Sequence, residues 1–411
     1  MTCALAIYVI WHPDSVEDAA LARQIALHFD GDEPVRDGLG MRIPVRVRSQ
    51  AWGTDPGGPP RPIAFDAAEV NFIVVLDSWA LANAAGTSWR GFFSALTNAR
   101  ASDPLRTRVL AFSPKPGRLP GLSAIQQVGT QAWPTDERRR RDLFLIHITN
   151  AIGQHLKARE KVGRDGGNID AVLIDRERLF LSHAKADGWA LTQAIEQHLQ
   201  GNTYGVETFV DATDLPGGAR FDGQFDAQIA RSALVVIRSD QYGTRPWCRW
   251  EMLRGKLHHR PVLVVDLIER GEARIFPYGG NVPAMRIVLA RPGDATGDAA
   301  GDGNAPGFSE GEIERIILAM MTEVLRALVW RMRAEAAVAR LAATGGIDPG
   351  SIAYFLRTPE LVDVVHLRIT QRNESMIVYP DPPLDEHERP LIEAIGAGLQ
   401  LRALSELEAV P

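Results

Sequence analysis

Apolar residues gather along this chain in short runs, and helical stretches separate the runs. In the first 157 positions the strand candidates are Leu5–Ile10, Pro44–Arg48, Val70–Leu76 and Arg108–Phe112. Over Val16–Phe29, Trp89–Ala99 and Arg141–His155 apolar positions instead return every three or four residues, the period of a helix with one buried face. Strands alternating with helices predict a parallel sheet with helices on both faces. The polar, glycine-rich stretch from Lys161 to Asn168 reads as the centre of a linker over 158–174.

The same rhythm resumes over 175–330. Leu179–Leu181 is a short strand that ends at Ser182-His183. Asp187 stands where an N-cap opens a helix carrying Leu191, Ile195 and Leu199 at four-residue spacing. Val206–Val210, Ala233–Ile237, Pro261–Asp266 and Ala284–Leu289 supply four further strands. Between Arg291 and Gly307 the chain is rich in Gly, Asp and Ala, without a large apolar residue, and reads as a surface insertion. A long helix from Ser309 to Ala342, expected to break near Trp330, closes the segment. In the remaining 331–411, His366–Thr370 and Ser375–Val378 read as a hairpin around Gln371–Asn373. Pro380–Pro383 reads as a turn, Asp385–Ala397 as a helix and Leu399–Leu404 as a last strand, together a small C-terminal α/β appendage.

The two large segments resemble each other. Val70–Leu76 matches Ser232–Ile237 as a buried third strand, and Trp89 then aligns with Trp247. Four residues past Trp89 stands Phe93, where the second segment has Glu251. The shared tryptophan register points to a duplicated unit that kept an acid in one copy only.

Composition narrows the function classes. A chain that is 45% hydrophobic and 23% charged is an ordinary globular protein, so folded domains are expected throughout. The net charge of −6 argues against nucleic acid as a partner, because that needs a basic footprint. Arg138–Arg141, flanked by Asp136, Glu137 and Asp142, reads as a solvated helix start. The two cysteines, Cys3 and Cys248, have no metal-ligand spacing, which fits a reducing cytoplasm and no metal. The apolar start lacks a basic leader, and no stretch is long enough to span a bilayer, so no membrane partner is expected.

The candidate chemistry lies in Trp247-Cys248-Arg249-Trp250-Glu251, after the strand Ala233–Ile237 and a polar loop. Open α/β sheets bind ligands at the carboxyl edge of their strands, and here a carboxylate follows an indole by one helical turn at that edge. The position gives no reason for a raised carboxyl pKa, so an ionised Glu251 is expected. The plain alternatives are an ion pair of Glu251 with Arg254 and a packing role for Trp247. Ser182 and His183 end the first strand at the same edge. The loop Asp211–Arg220 offers Gly217-Gly218 for mobility and Arg220 for a pyrophosphate. A Gly-x-Gly-x-x-Gly motif is absent, which argues against a dehydrogenase-type pyrophosphate cradle.

In these features the second segment resembles the Toll/interleukin-1 receptor (TIR) domain family. Leu179–His183 looks like the family's first strand. Phe209–Asp211 with Asp214–Gly217 looks like the second strand and its following loop. Ser239, Tyr242 and Trp247-Cys248-x-x-Glu251 look like the third strand's exit and the next helix. In place of the family's usual serine before Trp247 stands Gly243–Pro246, and Arg249-Trp250 is bulky. The resemblance implies an α/β fold with two flavodoxin-like, TIR-type open parallel sheets flanked by helices, the first in a degenerate TIR-like domain over 1–157. It also implies cleavage of NAD at the nicotinamide–ribose bond, by hydrolysis or cyclisation, in a bacterial protein of anti-phage defence or signalling. Glu251 would be the catalytic carboxylate, with Ser182, His183, Asp211, Arg220, Ser239 and Trp247 binding substrate. NAD would be a substrate, with no cofactor. Self-association through TIR domains and an upstream sensor protein are the implied partners. The rival readings are a non-catalytic TIR scaffold and an enzyme cleaving nucleoside N-glycosidic bonds without using NAD.

Overall fold

A computed structural model of the chain describes residues 3–31, 41–115, 119, 122, 125, 127–172, 176–201, 204–209, 221–272, 278–287, 307–345, 347–370, 374–396 and 398–409. Residues 1–175 and 176–411 form two compact units.

In the first unit, β1 (Cys3–Ile10), β2 (Val45–Arg48), β3 (Ala68–Leu76), β4 (Thr107–Ser113) and β5 (Gln127–Gly129) form a sheet in the order β2-β1-β3-β4-β5. Every pairing in it is parallel. A strand covered on both faces is almost wholly apolar, which is why Val70–Leu76 carries a single polar residue. Its one polar member, Asn71, is buried and donates from Nδ2 to the Phe65 carbonyl at 2.8 Å. The edge strand β2, Val-Arg-Val-Arg, keeps charge on its rim, as exposed edges require.

Helices α1 (Val16–Phe29), α2 (Trp79–Gly86), α3 (Arg90–Ser102) and α4 (Glu137–Asp165) complete this unit. The stretch 158–174, expected as a linker, is helical as far as Asp165. Ala158 and Val162 continue the buried face of α4, and Ile169 packs against them. The pattern did not announce α2, which is short and alanine-rich, or β5, which has three residues.

The second unit repeats the topology. Strands β6 (Glu177–His183), β7 (Val206–Phe209), β8 (Ala233–Arg238), β9 (Val262–Asp266) and β10 (Ala284–Arg286) lie in the order β10-β9-β8-β6-β7, again all parallel. Both sheets therefore share one strand order, second-first-third-fourth-fifth, that of flavodoxin-like folds. Helices α5 (Trp189–Gly201), α6 (Phe221–Ile229) and α7 (Pro246–Leu257) connect the strands. At Gly255 a methyl would meet Leu234 Cδ2 at 2.8 Å, so glycine lets α7 lie close on β8. Most of the expected insertion after Arg291 and the end of the strand expected over Ala284–Leu289 lie outside the described residues.

The helix expected to break near Trp330 does not. α8 (Glu310–Ala343) runs unbroken for 34 residues behind a Ser309–Glu312 capping box. No glycine or proline interrupts it after its first turn. Its first half buries Ile313, Ile316, Ile317 and Met320 and contacts α5, β8 and β9. Its second half buries Trp330, Ala334, Ala337 and Val338 against the C-terminal appendage. No domain boundary falls at 330/331.

The appendage is a small parallel sheet, not a hairpin. β11 (Ile352–Tyr354), β12 (Met376–Tyr379) and β13 (Gln400–Ala403) lie in sequence order, joined through α9 (Leu361–Ile369) and α10 (Glu388–Gly396), with α11 (Leu404–Glu408) at the end. The expected first hairpin arm, His366–Thr370, belongs mostly to α9. Val364 and Leu367 there are buried three residues apart, and Glu360 with Asp363 forms the helix's capping box. Gln371–Asn373 lie outside the described residues.

One buried cation ties α7 to this appendage. Lys256 Nζ donates to the Tyr278 and Gly280 carbonyls at 3.1 and 3.0 Å and to both oxygens of Glu360 at 2.7 and 2.8 Å. Burial first, and Arg357 next, lower the lysine pKa against the pull of Glu360. Removing one partner of such a pair strands the other, whereas removing both does not. Glu360→Ala is therefore expected to cost about 2–4 kcal/mol in urea unfolding of the full chain, and Lys256→Met with Glu360→Ala to recover part of that loss. Additive losses in the double variant would show that the two residues do not act as a pair.

Candidate active site at the carboxyl edge of the second sheet

Strands β6, β8 and β9 end side by side, with Ser182 beside Val236, His183 beside Ile237 and Arg238 beside Asp266. Two aspartates brace the loops that leave this edge. Asp187 accepts from Ser239 Oγ at 2.6 Å and from the Gln241 amide at 2.9 Å, so the β6 exit holds the β8 exit. Asp240 accepts from the amides of Glu269, Arg270 and Gly271, so the β8 exit holds the β9 exit. Desolvation pushes the Asp240 pKa up, but these three amides outweigh it and hold the carboxyl below the usual range. Gly188 allows the first turn before α5 to fold back tightly, because a methyl there would meet His183 Cβ at 3.0 Å.

α7 opens at this edge. Arg245 is extended, Pro246 takes the first helical position, and Cys248, Glu251, Met252 and Gly255 form the buried side at helical spacing. Glu251 is thus 3% exposed, an acid turned toward the strand ends. Its Oε2 lies 2.5 Å from Ser182 Oγ. Ser182 Oγ lies 2.8 Å from the Tyr242 hydroxyl, which lies 3.0 Å from the Cys248 carbonyl. Cys248 Sγ donates to the His183 carbonyl at 3.4 Å. The first strand's end, the short helical turn Tyr242–Thr244 and the first turns of α7 therefore converge on one carboxyl group.

The residues singled out in the sequence fall into three groups. Ser182 and Glu251 meet directly. His183, Ser239 and Trp247 lie near the edge with other partners. The His183 ring packs 5.4 Å from that of Trp189, its Nδ1 3.1 Å from the Leu181 carbonyl. Ser239 is buried and its hydroxyl goes to Asp187. Trp247 is 37% exposed, stacked 4.8 Å on Trp250 and set edge-on to Phe225. Asp211 and Arg220 lie outside the described residues.

Asp187 is taken by Ser239 and Gln241 rather than standing as a simple helix cap. Arg254, the alternative partner of Glu251, pairs with Asp226 of α6, Nη2 to Oδ2 at 2.7 Å, with His258 beside it. Partial burial raises the Asp226 pKa, and the bonds from Arg254 and His258 overcome this and lower it.

Tyr242 and Asp240 carry more of the site than the sequence suggested. The available signals were the place of Tyr242 in the stretch that resembles the TIR family and, for Asp240, its position as an acid in a strand-exit loop. Among the described residues, no group of three or more His, Cys, Asp or Glu is arranged to hold a metal.

The family model for the TIR domain matches residues 179–280, from β6 through α7 and β9 to the approach to β10. The chain therefore carries a TIR domain over those residues. No curated protein matches the chain. Among the described residues, no helix is long and apolar enough to cross a membrane.

Burial first, then Glu251, pushes the Tyr242 phenol well above its ordinary value of 10.0, against the lowering effect of Ser182. A folded-state value above the unfolded one gives stability that is present below the unfolded value and lost as pH rises toward the folded one. Urea unfolding from about pH 8 to about pH 11 should thus fall more steeply above pH 10 for the native chain than for Tyr242→Phe. Parallel curves for the two proteins would contradict this assignment.

Proposed function

We propose that the TIR domain at residues 179–280 cleaves NAD at the nicotinamide–ribose bond, with Glu251 as the catalytic carboxylate. One observation carries the reading: Glu251 is buried against the strand ends at the sheet edge where such folds take ligands, and it is held there by Ser182. Nicotinamide leaves as a neutral molecule from a ring that already carries positive charge, so its departure needs no general acid. One carboxylate then suffices where ordinary glycosidases use two. Glu251 can stabilise the oxocarbenium-like ribose, hold its hydroxyls or attack C1′. Capture of the ribosyl centre by water gives hydrolysis, and capture by a nucleophile within the same molecule gives cyclisation. The exposed Trp247 one turn before the acid, stacked on Trp250, suits a flat heterocycle.

In this reading the first unit is a TIR-like counterpart without chemistry. Setting Leu76 against Ile237, as the strand pattern suggests, places Ile10, which pairs with Val75, at the position of Ser182, which pairs with Val236. Phe93 stands at the position of Glu251, and both Ile10 and Phe93 are buried. An apolar pair thus replaces the serine–glutamate pair, which leaves this unit sensing, inhibition or assembly. Self-association of TIR domains would bring the protein to its active form. The biological setting that follows is bacterial defence or signalling by NAD depletion or by synthesis of a nucleotide signal.

The test is nicotinamide release from NAD by the full chain, with and without a crowding agent that promotes assembly. Release is expected in the assembled form, with Glu251→Gln slower by at least about 100-fold. Product mass and retention then separate hydrolysis from cyclisation. No release from any assembled form, or equal release by Glu251→Gln, would overturn the proposal.

A further inference from the structure

Three arginines and an indole gather at the carboxyl end of β2 in the first unit. Arg46 and Arg48 stand two residues apart on β2, so their side chains share one face of the sheet. There they cover the ring of Tyr8, the Arg46 guanidinium 5.7 Å and the Arg48 guanidinium 5.1 Å from its centre. Just past the strand, Ala51 bridges Pro60, and the Trp52 amide donates to the Pro59 carbonyl at 2.9 Å. That bridge brings Trp52 and Arg61 together, with the Arg61 guanidinium 5.0 Å from the indole centre. Trp52 is 61% exposed.

These charges are not answered by acids. Arg100 and Arg108 of the same unit share Asp170, and Arg159 pairs with Glu69. Arg46 Nη1 instead donates to the Tyr8 hydroxyl at 3.0 Å, Arg48 Nη1 to the Val47 carbonyl at 2.8 Å, and Arg61 lies on the indole. Among the described residues, none of the three pairs with a carboxylate, and Arg48 Nε is buried without an acceptor. Burial first lowers the Arg48 pKa and Tyr8 raises it; Arg61 and then Arg46, neighbours of its own sign, lower it again. Protection of a sheet edge accounts for charge on β2. It does not account for Arg61 and Trp52, which lie beyond the strand. The matching edge strand of the second sheet, β7, reads Val-Glu-Thr-Phe without an arginine.

We propose that Arg46, Arg48, Arg61 and Trp52 form a nucleotide-binding site on the first unit, the guanidiniums taking a diphosphate and the indole stacking on the base. Guanidinium forks match phosphate oxygens, and an anion relieves the repulsion among three like charges. Arg48 stands beside Ile10 where β1 and β2 end, the edge at which such sheets take ligands. An exposed indole offers a face on which any base can stack. Three cations suit a small anion. A nucleic-acid strand needs a positive groove along its backbone, and this chain has a net charge of −6. The site does not rest on NAD cleavage by the second unit; it gives the first unit a ligand of its own.

Titration calorimetry of the full chain with ADP tests the site. ADP has no nicotinamide–ribose bond, so the result is independent of NAD cleavage. ADP is expected to bind about tenfold or more tightly than inorganic pyrophosphate, and Trp52→Leu to remove that difference. Arg48→Gln and Arg61→Gln should each weaken ADP binding by about tenfold. Arg61 and Trp52 are exposed, so their variants decide the matter even if Arg48→Gln, half-buried over Tyr8, does not fold. No binding at about millimolar ADP overturns the proposal. Binding that Arg61→Gln and Trp52→Leu leave unchanged places the nucleotide elsewhere and overturns it too. Equal affinity for ADP and pyrophosphate would reduce the cluster to a patch for anions, and tighter binding of a single-stranded oligonucleotide than of ADP would make it a nucleic-acid contact. Either result overturns the nucleotide site.

Discussion

A parallel sheet covered on both faces has no room for polar side chains except at the ends of its strands. That constraint organises the TIR domain of this protein. β8 is buried from Ala233 to Ile237, and polarity begins at Arg238. β6 is apolar from Leu179 to Leu181 and turns polar at Ser182. The chemistry-bearing groups collect at the carboxyl edge because the packing leaves them no other place. Once there they must satisfy one another, since an unpaired buried polar atom costs about 1–3 kcal/mol. The braces Asp187 and Asp240 and the chain from Glu251 to the Cys248 carbonyl are both consequences of that demand.

Helix α7 is the mechanical centre of the unit. Its first turns present Glu251 to the strand ends, Gly255 brings it onto β8, Arg254 ties it to α6, and Lys256 ties it to Glu360 in the appendage. Side chains spaced by one or two turns thus point the same helix at the site, the sheet, its neighbour and the C-terminal module. Precision at Glu251 depends on all four attachments, since a carboxyl group on a loose helix could not keep a 2.5 Å contact with Ser182.

The long buried runs were legible in the sequence, because five consecutive apolar residues such as Phe72–Leu76 fit few other structures. As candidates, Ser182 was legible from its place just past such a run, and Glu251 from its place one turn after Trp247 in the helix that follows one. The resemblance included Tyr242, but its contacts were not legible, because they arise only where the end of β6 meets the first turn of α7, and sequence spacing does not encode that meeting. The appendage was misread for another reason. Strands of three or four residues and helices of nine show too few periods to separate a helix from a strand, so His366–Thr370 alternated like a strand while belonging mostly to a helix. Its parallel pairing also depends on crossovers that a local pattern cannot distinguish from a hairpin.

The buried lysine has one more implication, concerning what counts as a module. The family match ends at residue 280, but Lys256 within it takes its counter-charge from Glu360. The homologous stretch and the smallest self-sufficient body are therefore different things in this protein. A fragment cut at the edge of the match would keep the two carbonyls that Lys256 donates to and lose the carboxylate that answers its charge. The C-terminal sheet thus supplies a charge that Lys256 of the matched stretch is paired with.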